Sequence, residues 1–280
     1  MSVTPQGFDT LASLLKTRSG LSIGPEKLYL LETRLLPILR RENLQDLTAL
    51  AQRLRCQASA SGKLADDVVE AMTTGETMFF RDRKPFQHLR TVSLPSLAAA
   101  RPAGTPLRIW SAATSSGQEA YSLAMLLADE RETLGGRRTE IVGTDISGER
   151  IAIARGGVYA QLEVQRGLPV QMLLRHFRKE GPNWRISQEM RGMVEFREWN
   201  LLSALRPLGE FDIVFCRNVL SCFDQQTRAR VLKEIAARMA PDGFLYVGDA
   251  ETVVGITSRL VPMANERAVY RVAGAVTMAA

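Results

Sequence analysis

Residues 107–121 read LRIWSAATSSGQEAY. Four bulky residues with the character of a buried strand run into six small ones, and an acid, Glu119, follows within one helical turn. Small residues where a strand ends let main-chain N–H groups and a helix amino terminus come close to a ligand. In an open parallel sheet, the first strand-to-helix turn is where ligands meet the carboxyl ends of the strands. A second acid, Asp145, ends the stretch EIVGTD about one strand-helix-strand unit later. An acid so placed grips a ribose hydroxyl pair in nucleotide-type sites, so loop and acid together point to an adenosine-containing ligand. Taken alone, the loop would serve equally as a tight structural turn. A P-loop is excluded because no Gly-Lys-Ser/Thr follows the strand, and a nicotinamide dinucleotide is disfavoured because no second glycine supports a pyrophosphate.

Such a site needs a frame, and alternating strand and helix patterns supply one. Strands are expected at Leu107 to Trp110, Ile141 to Thr144, Val194 to Arg197, Phe211 to Cys216 and Phe244 to Gly248. Helices fall between them at Glu119 to Asp129, Gly148 to Arg155 and Gln225 to Met239. A last strand pair, near Thr252 to Leu260 and Ala268 to Val272, is expected to close the sheet edge. The fold class is therefore α/β, a mostly parallel sheet covered on both faces. From about residue 6 to 90 the pattern is helical throughout. There FDTLASLLKTRSG stops at a glycine, GPEKLYLLETRLLPILRREN carries proline in its first turn, and LADDVVEAMTTG closes in another glycine. The expected division is a helical domain at 1–90 and a sheet domain at 91–280.

Composition narrows the chemistry. The chain has 280 residues, 45% hydrophobic and 24% charged, enough for one large domain and a smaller one. No apolar run approaches the roughly 20 residues that span a bilayer, and the amino terminus lacks the basic-then-apolar order of a signal peptide. The expected location is cytoplasmic, without membrane insertion. Cys56, Cys216 and Cys222 form no CxxC, and the only histidines, His88 and His176, lie in unrelated segments. Zinc sites and Ser-His-Asp machinery are both disfavoured, and no metal is expected. The net charge of +6 favours acidic partners. Arg34, Arg40, Arg41, Arg53 and Arg55 crowd the first third inside helical apolar periodicity, as a solvated helix face or a docking face.

Read in order, TTGETMFFRD, LRIWSAATSSGQEAYSLAM, GTDIS, WNLL, FDIVFCRNVL and APDGFLYVGDAE make the chain resemble the CheR-type chemotaxis receptor methyltransferases over nearly its whole length. The resemblance implies a doubly wound, Rossmann-like class I methyltransferase domain, a helical amino-terminal domain and a small inserted antiparallel β-subdomain at about 176–198. It implies S-adenosylmethionine as cofactor, S-adenosylhomocysteine as product, and methyl esterification of glutamate side chains in the cytoplasmic helical domains of chemoreceptors. Some family members hold a pentapeptide tether at the receptor's carboxyl terminus by strand addition to the subdomain. The connection RKEGPN is short for that clamp, so receptor binding without a strong tether is expected.

The chemistry of such a transfer suits a site poor in histidine. A glutamate carboxylate is already an anion at neutral pH, so methyl transfer to it needs alignment and no general base. Arg81, in FFRD, is the expected group for orienting that carboxylate, since its fork of donors matches a carboxylate and keeps its charge. The resemblance also places Arg81 beside the cofactor's methionyl end, leaving its service to cofactor or substrate open. A surface ion pair with Asp82 or Asp145 is the alternative. Other positions carry over one by one. Thr77 matches a threonine that meets the cofactor, or is a helix cap. Glu119 matches an acid near the methionyl end, and a first-turn acid also favours the helix dipole. Asp145 matches the ribose acid. Asn200 and Leu201 match residues flanking the adenine, with simple core the alternative for Leu201. Arg217 and Asn218, matched as cofactor-binding positions, lie just past the fourth strand, where catalytic and substrate groups gather in this topology, with a solvent-exposed turn the alternative.

Three departures from the family pattern stand out. Gly75 replaces an asparagine among the cofactor-binding positions, and Ala120 replaces a common proline. Cys222 stands at the catalytic position where an aromatic hydroxyl is usual, and a thiol is a smaller, weaker donor. A catalytically weak or inactive regulator that binds the cofactor or its product is therefore the alternative function. A nucleic-acid methyltransferase ranks below both, because CRNVLSC offers neither an NPP[YF]-like loop nor an aromatic platform for a flipped base. A receptor-array scaffold using the helical domain alone is the remaining class.

Overall fold

A computed structural model describes residues 3–56, 62–73 and 75–274. Contacts divide the chain into two compact units, one of residues 1–74 with 222–228 and one of 75–221 with 229–280.

In the helical unit, α1 (Pro5–Ser19) starts where the Thr4 hydroxyl accepts from Gly7 N and ends at Gly20, whose φ of 78° supplies the left-handed cap. The helix expected from GPEKLYLLETRLLPILRREN is split into α2 (Leu28–Arg34) and α3 (Leu36–Arg41). Pro37 has no N–H to donate to the preceding turn, so the helix restarts there. Two further helices, α4 (Leu47–Cys56) and α5 (Lys63–Met72), complete the first part. Helix α5 ends at Met72, and Gly75 begins the other unit rather than capping this one. Residues 222–228 close the unit: Ser22 N donates to the Cys222 carbonyl (2.9 Å), and Lys16 Nζ meets Asp224 at 2.6 Å.

The second unit is built on a seven-stranded sheet of order β6-β2-β1-β7-β8-β10-β9. Its strands are β1 (Leu107–Ala112), β2 (Thr139–Asp145), β6 (Val194–Glu198), β7 (Phe211–Cys216), β8 (Met239–Tyr246), β9 (Leu260–Met263) and β10 (Glu266–Val272). The first five are mutually parallel, and β10 runs antiparallel to β8 and β9. Strand order reverses at β1, which has β2 on one side and β7 on the other. A second sheet, β3-β5-β4, joins β3 (Val158–Ala160), β4 (Phe177–Glu180) and β5 (Asn183–Ile186). The doubly wound, mostly parallel sheet with a helical unit and a small antiparallel sheet is thus present.

Four expected boundaries move. The units part at residues 74 and 75 instead of 90, because Phe79, Phe80, Phe86, Leu89 and Leu94 are buried in the core of the sheet unit. The small sheet recruits β3 from before residue 176, while β6 leaves it for the large sheet. The closing hairpin is β9 and β10, and residues 252–259 form a loop. Finally, the last helix ends at Ala236, and β8 begins at Met239 with an irregular register through APDG.

After the short helices α6 (Lys84–His88) and α7 (Leu94–Ala100), helices α8 (Gln118–Asp129) and α9 (Gly148–Gly156) follow β1 and β2 and carry the loops of interest. The opposite end of the sheet is stapled by Arg101, which bonds Asp242 through Nε (2.9 Å) and Asp212 through Nη1 (2.5 Å). Arg101→Ala is expected to cost about 2–3 kcal/mol in denaturant unfolding, since it removes the cation that two adjacent acids share. A loss below about 0.5 kcal/mol would show the staple to be dispensable.

Both histidines are buried, and burial holds each pKa below the ordinary 6.5. His88 bonds Tyr246 Oη (2.9 Å), which also meets Ser93 Oγ at 2.6 Å. The unfolded chain takes up these protons first, so their stabilising contribution is complete above pH 6.5 and shrinks as pH falls below it. The unfolding midpoint of the wild type is expected to drop relative to His88→Gln between about pH 7 and pH 5.5. The comparison isolates the histidine, because acids raised by burial act with the opposite sign.

Candidate functional site

Backbone conformation and crowding both keep the residues of the loop after β1 small. Ala113, Ser115 and Gly117 all take positive φ (55°, 52° and 92°). A Cβ on Gly117 would lie 2.9 Å from Ala154 Cβ and 3.0 Å from Phe196 Cζ, so loop, α9 and β6 meet without room for a side chain. Thr114 N donates to the Thr144 carbonyl at 2.8 Å, fastening the loop to the end of β2.

Asp145 sits at that end, 9% exposed. Its Oδ2 accepts from Ser115 N (2.8 Å) and its Oδ1 from Ser147 N (3.0 Å). Burial pushes its carboxyl pKa up, and main-chain donors from Ser147, Ser115 and Ile146, with the Arg150 charge, oppose that rise. A carboxylate oxygen can accept more than one hydrogen bond, which suits it to receive a ribose hydroxyl as well. Ser115 Oγ donates to the Gly75 carbonyl at 2.8 Å, so the TTGETMFFRD segment is tied to the same loop. Arg150 lies over Gly75: a Cβ there would fall 2.4 Å from Arg150 Nε, so an asparagine at position 75 would have to displace that guanidinium.

A second cluster forms around Arg217, at the end of β7, with a side chain 1% exposed. Its Nη1 donates to Glu119 Oε2 (3.0 Å), and its Nη2 donates to Asp82 Oδ2 (2.6 Å) and to the Arg81 carbonyl (2.9 Å). Glu119 also accepts from Ser111 Oγ (2.8 Å). Burial raises the Glu119 pKa, and the Arg217 charge is the largest opposing influence. Arg217 Nε is buried and has no partner among the described residues. Arg81 is half-buried, its Nη1 donating only to the Glu76 carbonyl (3.3 Å). No ion pair holds Arg81 among the described residues, and Asp82 turns to Arg217 instead.

Other expected positions are placed as follows. Thr77 lies in the irregular stretch 75–78, away from either helix end, so it is no cap. Asn200 Oδ1 accepts from Leu202 N (2.9 Å) just past β6, and Leu201 is buried at 8% exposure. Asn218 takes φ 61°, and its N–H donates to Glu251 Oε2 (2.8 Å). Glu251 also accepts from Gly248 N and Ser221 N (2.8 and 2.9 Å), joining the loops after β7 and β8. Ala120 is wholly buried in α8. Cys222 groups with the helical unit. Sequence reasoning missed Asp82, Ser111, Ser115 and Glu251 as working parts. Ser111 and Ser115 lay inside the small-residue loop without being singled out, Asp82 was weighed only as a partner for Arg81, and Glu251 gave a signal as an acid just past the expected strand in GFLYVGDAE.

A diol acceptor, a crowded main-chain loop, an acid beside a buried cation and an unpartnered Nε fit a nucleoside with an amino-acid tail. The comparisons agree. Residues 75–269 match the family described as CheR methyltransferase, SAM binding domain, and residues 6–73 match CheR methyltransferase, all-alpha domain. The chain belongs to the CheR methyltransferase family. It is 39% identical to Chemotaxis protein methyltransferase Cher2 of Pseudomonas putida, with 91% of this chain and 94% of that one covered. It is 40% identical to Chemotaxis protein methyltransferase 1 of Pseudomonas aeruginosa, covering 90% and 92%. A third relative, Chemotaxis protein methyltransferase of Vibrio parahaemolyticus, is 34% identical over 92% and 94%. As a CheR methyltransferase the chain is an S-adenosylmethionine-dependent enzyme.

Proposed function

We propose that this CheR methyltransferase esterifies glutamate side chains on the cytoplasmic helices of chemoreceptors. When bound, S-adenosylmethionine supplies an electrophilic methyl group on a sulfonium. The residues divide the work by charge. Asp145 and the loop at 111–118 hold the adenosine end, with Asn200 and Leu201 beside the base. Glu119 and Arg217 hold the amino-acid end, the unpartnered Arg217 Nε being a donor ready for a carboxylate. Thr77 and Asn218 are assigned to the same site on the family pattern. Arg81 takes the substrate glutamate, because Arg217 is committed to Glu119 and Asp82 while Arg81 is held by one weak bond. That contrast between a spent and an unspent guanidinium carries the reading.

The acceptor must be ionised, and an exposed glutamate is so at neutral pH. Arg81 therefore orients without needing to remove a proton. Esterification removes one negative charge per site, which weakens the product's hold on a cation and aids release. The basic surface of the helical unit, with Arg40, Arg41, Arg53 and Arg55 exposed, suits the acidic receptor helices. β4 and β5 are joined by Gly181 and Pro182 alone, a tight hairpin that favours engagement without a carboxyl-terminal tether.

The test is calorimetric titration with S-adenosylhomocysteine, then incubation with methyl-labelled cofactor and receptor cytoplasmic fragments, with and without their last residues. Binding followed by base-labile label on the receptor is the expected result. Base-stable label would move the acceptor from oxygen to nitrogen, and binding without any label would favour the inactive regulator.

A further inference from the structure

The segment that presents Arg81 is backbone of an unusual kind. Phe80, Asp82 and Arg83 have φ of 48°, 66° and 41°, and none is glycine. Side chains at positive φ crowd their own backbone, and such residues persist only where the surroundings over-determine them. Four anchors do so here. The Phe80 ring is buried against Phe86 at 5.1 Å, and Phe80 N donates to Ser122 Oγ at 2.9 Å. Arg83 N closes the turn on the Phe80 carbonyl (3.1 Å). Arg217 supplies the last anchor, one Nη2 reaching both Asp82 Oδ2 (2.6 Å) and the Arg81 carbonyl (2.9 Å).

Arg217 is itself fixed from the other side. Glu119 holds its Nη1 at 3.0 Å, and its guanidinium stands 5.8 Å from the Phe86 ring centre. Arg217 thus ties the end of β7 and Glu119 of α8 to the strained turn, beside the separate bond from Phe80 N to Ser122 of the same helix. Asp82 is the only charged group by which the turn answers, among the described residues.

We infer that Asp82 is a positioning residue for methyl transfer: by binding Arg217 it locks the strained turn at 80–83 in the shape that aims the Arg81 guanidinium. The inference rests on the reading of Arg81 as the group that orients the acceptor. An aspartate suits the place twice, since it tolerates left-handed backbone better than most residues and supplies the anion. Removing it leaves Arg217 paired with Glu119, so the buried cation keeps a partner and the cofactor end keeps its donors. The loss therefore falls on alignment at the reacting end, where a small misplacement is costly.

The test compares Asp82→Asn, Asp82→Ala and Arg81→Ala. Asp82→Asn keeps shape and an acceptor but not the charge, and is expected to lower kcat about 10-fold. Asp82→Ala is expected to lower it about 100-fold, with S-adenosylhomocysteine affinity within about threefold of wild type. Amide exchange at Arg83 should rise in both. In an Arg81→Lys background, Asp82→Ala should cost at most about twofold more, because an anchor acting through Arg81 has little left to aim. Undiminished kcat in Asp82→Ala with a dead Arg81→Ala overturns the inference and leaves the reading of Arg81 standing. Active Arg81→Ala overturns that reading instead. A loss of cofactor affinity in step with kcat also overturns the inference, since Asp82 would then serve the cofactor.

Discussion

Arg81→Ala is expected to cut methyl transfer by on the order of 100- to 10,000-fold while leaving the fold intact. Two charge-assisted hydrogen bonds to a carboxylate are worth about 1.5–3 kcal/mol each, and each 1.4 kcal/mol is about tenfold in rate. Those bonds matter only if they hold the acceptor oxygen in line with the transferred methyl, where pre-set orientation supplies much of the rate. Stability should change little, because Arg81 is half-buried and its one bond, to the Glu76 carbonyl, is 3.3 Å long. Arg81→Lys keeps the charge and loses the planar fork, so it should fall between the two. Single-turnover labelling of a receptor fragment, with enzyme in excess, reads the chemical step directly. Wild-type turnover in Arg81→Ala would hand the orienting role to another group, with Arg217 Nε the first to examine.

Asp145→Asn is expected to weaken S-adenosylhomocysteine binding by about 100-fold or more. A carboxylate that accepts both ribose hydroxyls contributes about 1.5–3 kcal/mol per bond, and an amide replaces one acceptor by a donor. A second cost arises inside the protein. Oδ2 and Oδ1 now accept from Ser115 N and Ser147 N, and an asparagine can satisfy only one of them. The loop at 111–118 should loosen with it, so part of the lost affinity is lost order in the loop. Titration calorimetry with adenosine alone separates the two effects. If Asp145 serves the ribose, the variant loses adenosine binding by a similar factor; retained adenosine affinity would restrict Asp145 to holding the loop.

Much of this protein was legible from the chain itself. Buried strands such as FDIVFC and the helix QEAYSLAMLLAD declare themselves because apolar runs and helical periodicity are local properties, and β7 spans Phe211–Cys216 as the pattern implied. Asp145 and the small-residue loop were legible for the same reason: both sit where a strand ends, and strand ends can be read without knowing the neighbours. The order of six short motifs then named the family.

Other features belong to no stretch of sequence. Residues 75–90 look helical, like those before them, yet the burial of Phe79, Phe80 and Phe86 among sheet residues assigns them to the other unit. Membership of a core depends on what packs against a side chain, and periodicity is blind to that. Residues 222–228 return to the helical unit across a long separation in sequence. The charges show the difference most clearly. Arg81, Asp82, Glu119 and Arg217 are each visible as ionisable residues near motifs, but sequence allowed Arg81 and Asp82 to pair with one another. Tertiary structure pairs Asp82 with Arg217, because Arg217 lies fully desolvated at the end of β7 and a buried cation must gather anions. That demand leaves Arg81 with no ion pair among the described residues. The sequence by itself determined the fold and the family, whereas only the packing around one buried guanidinium decided which arginine we propose for the substrate.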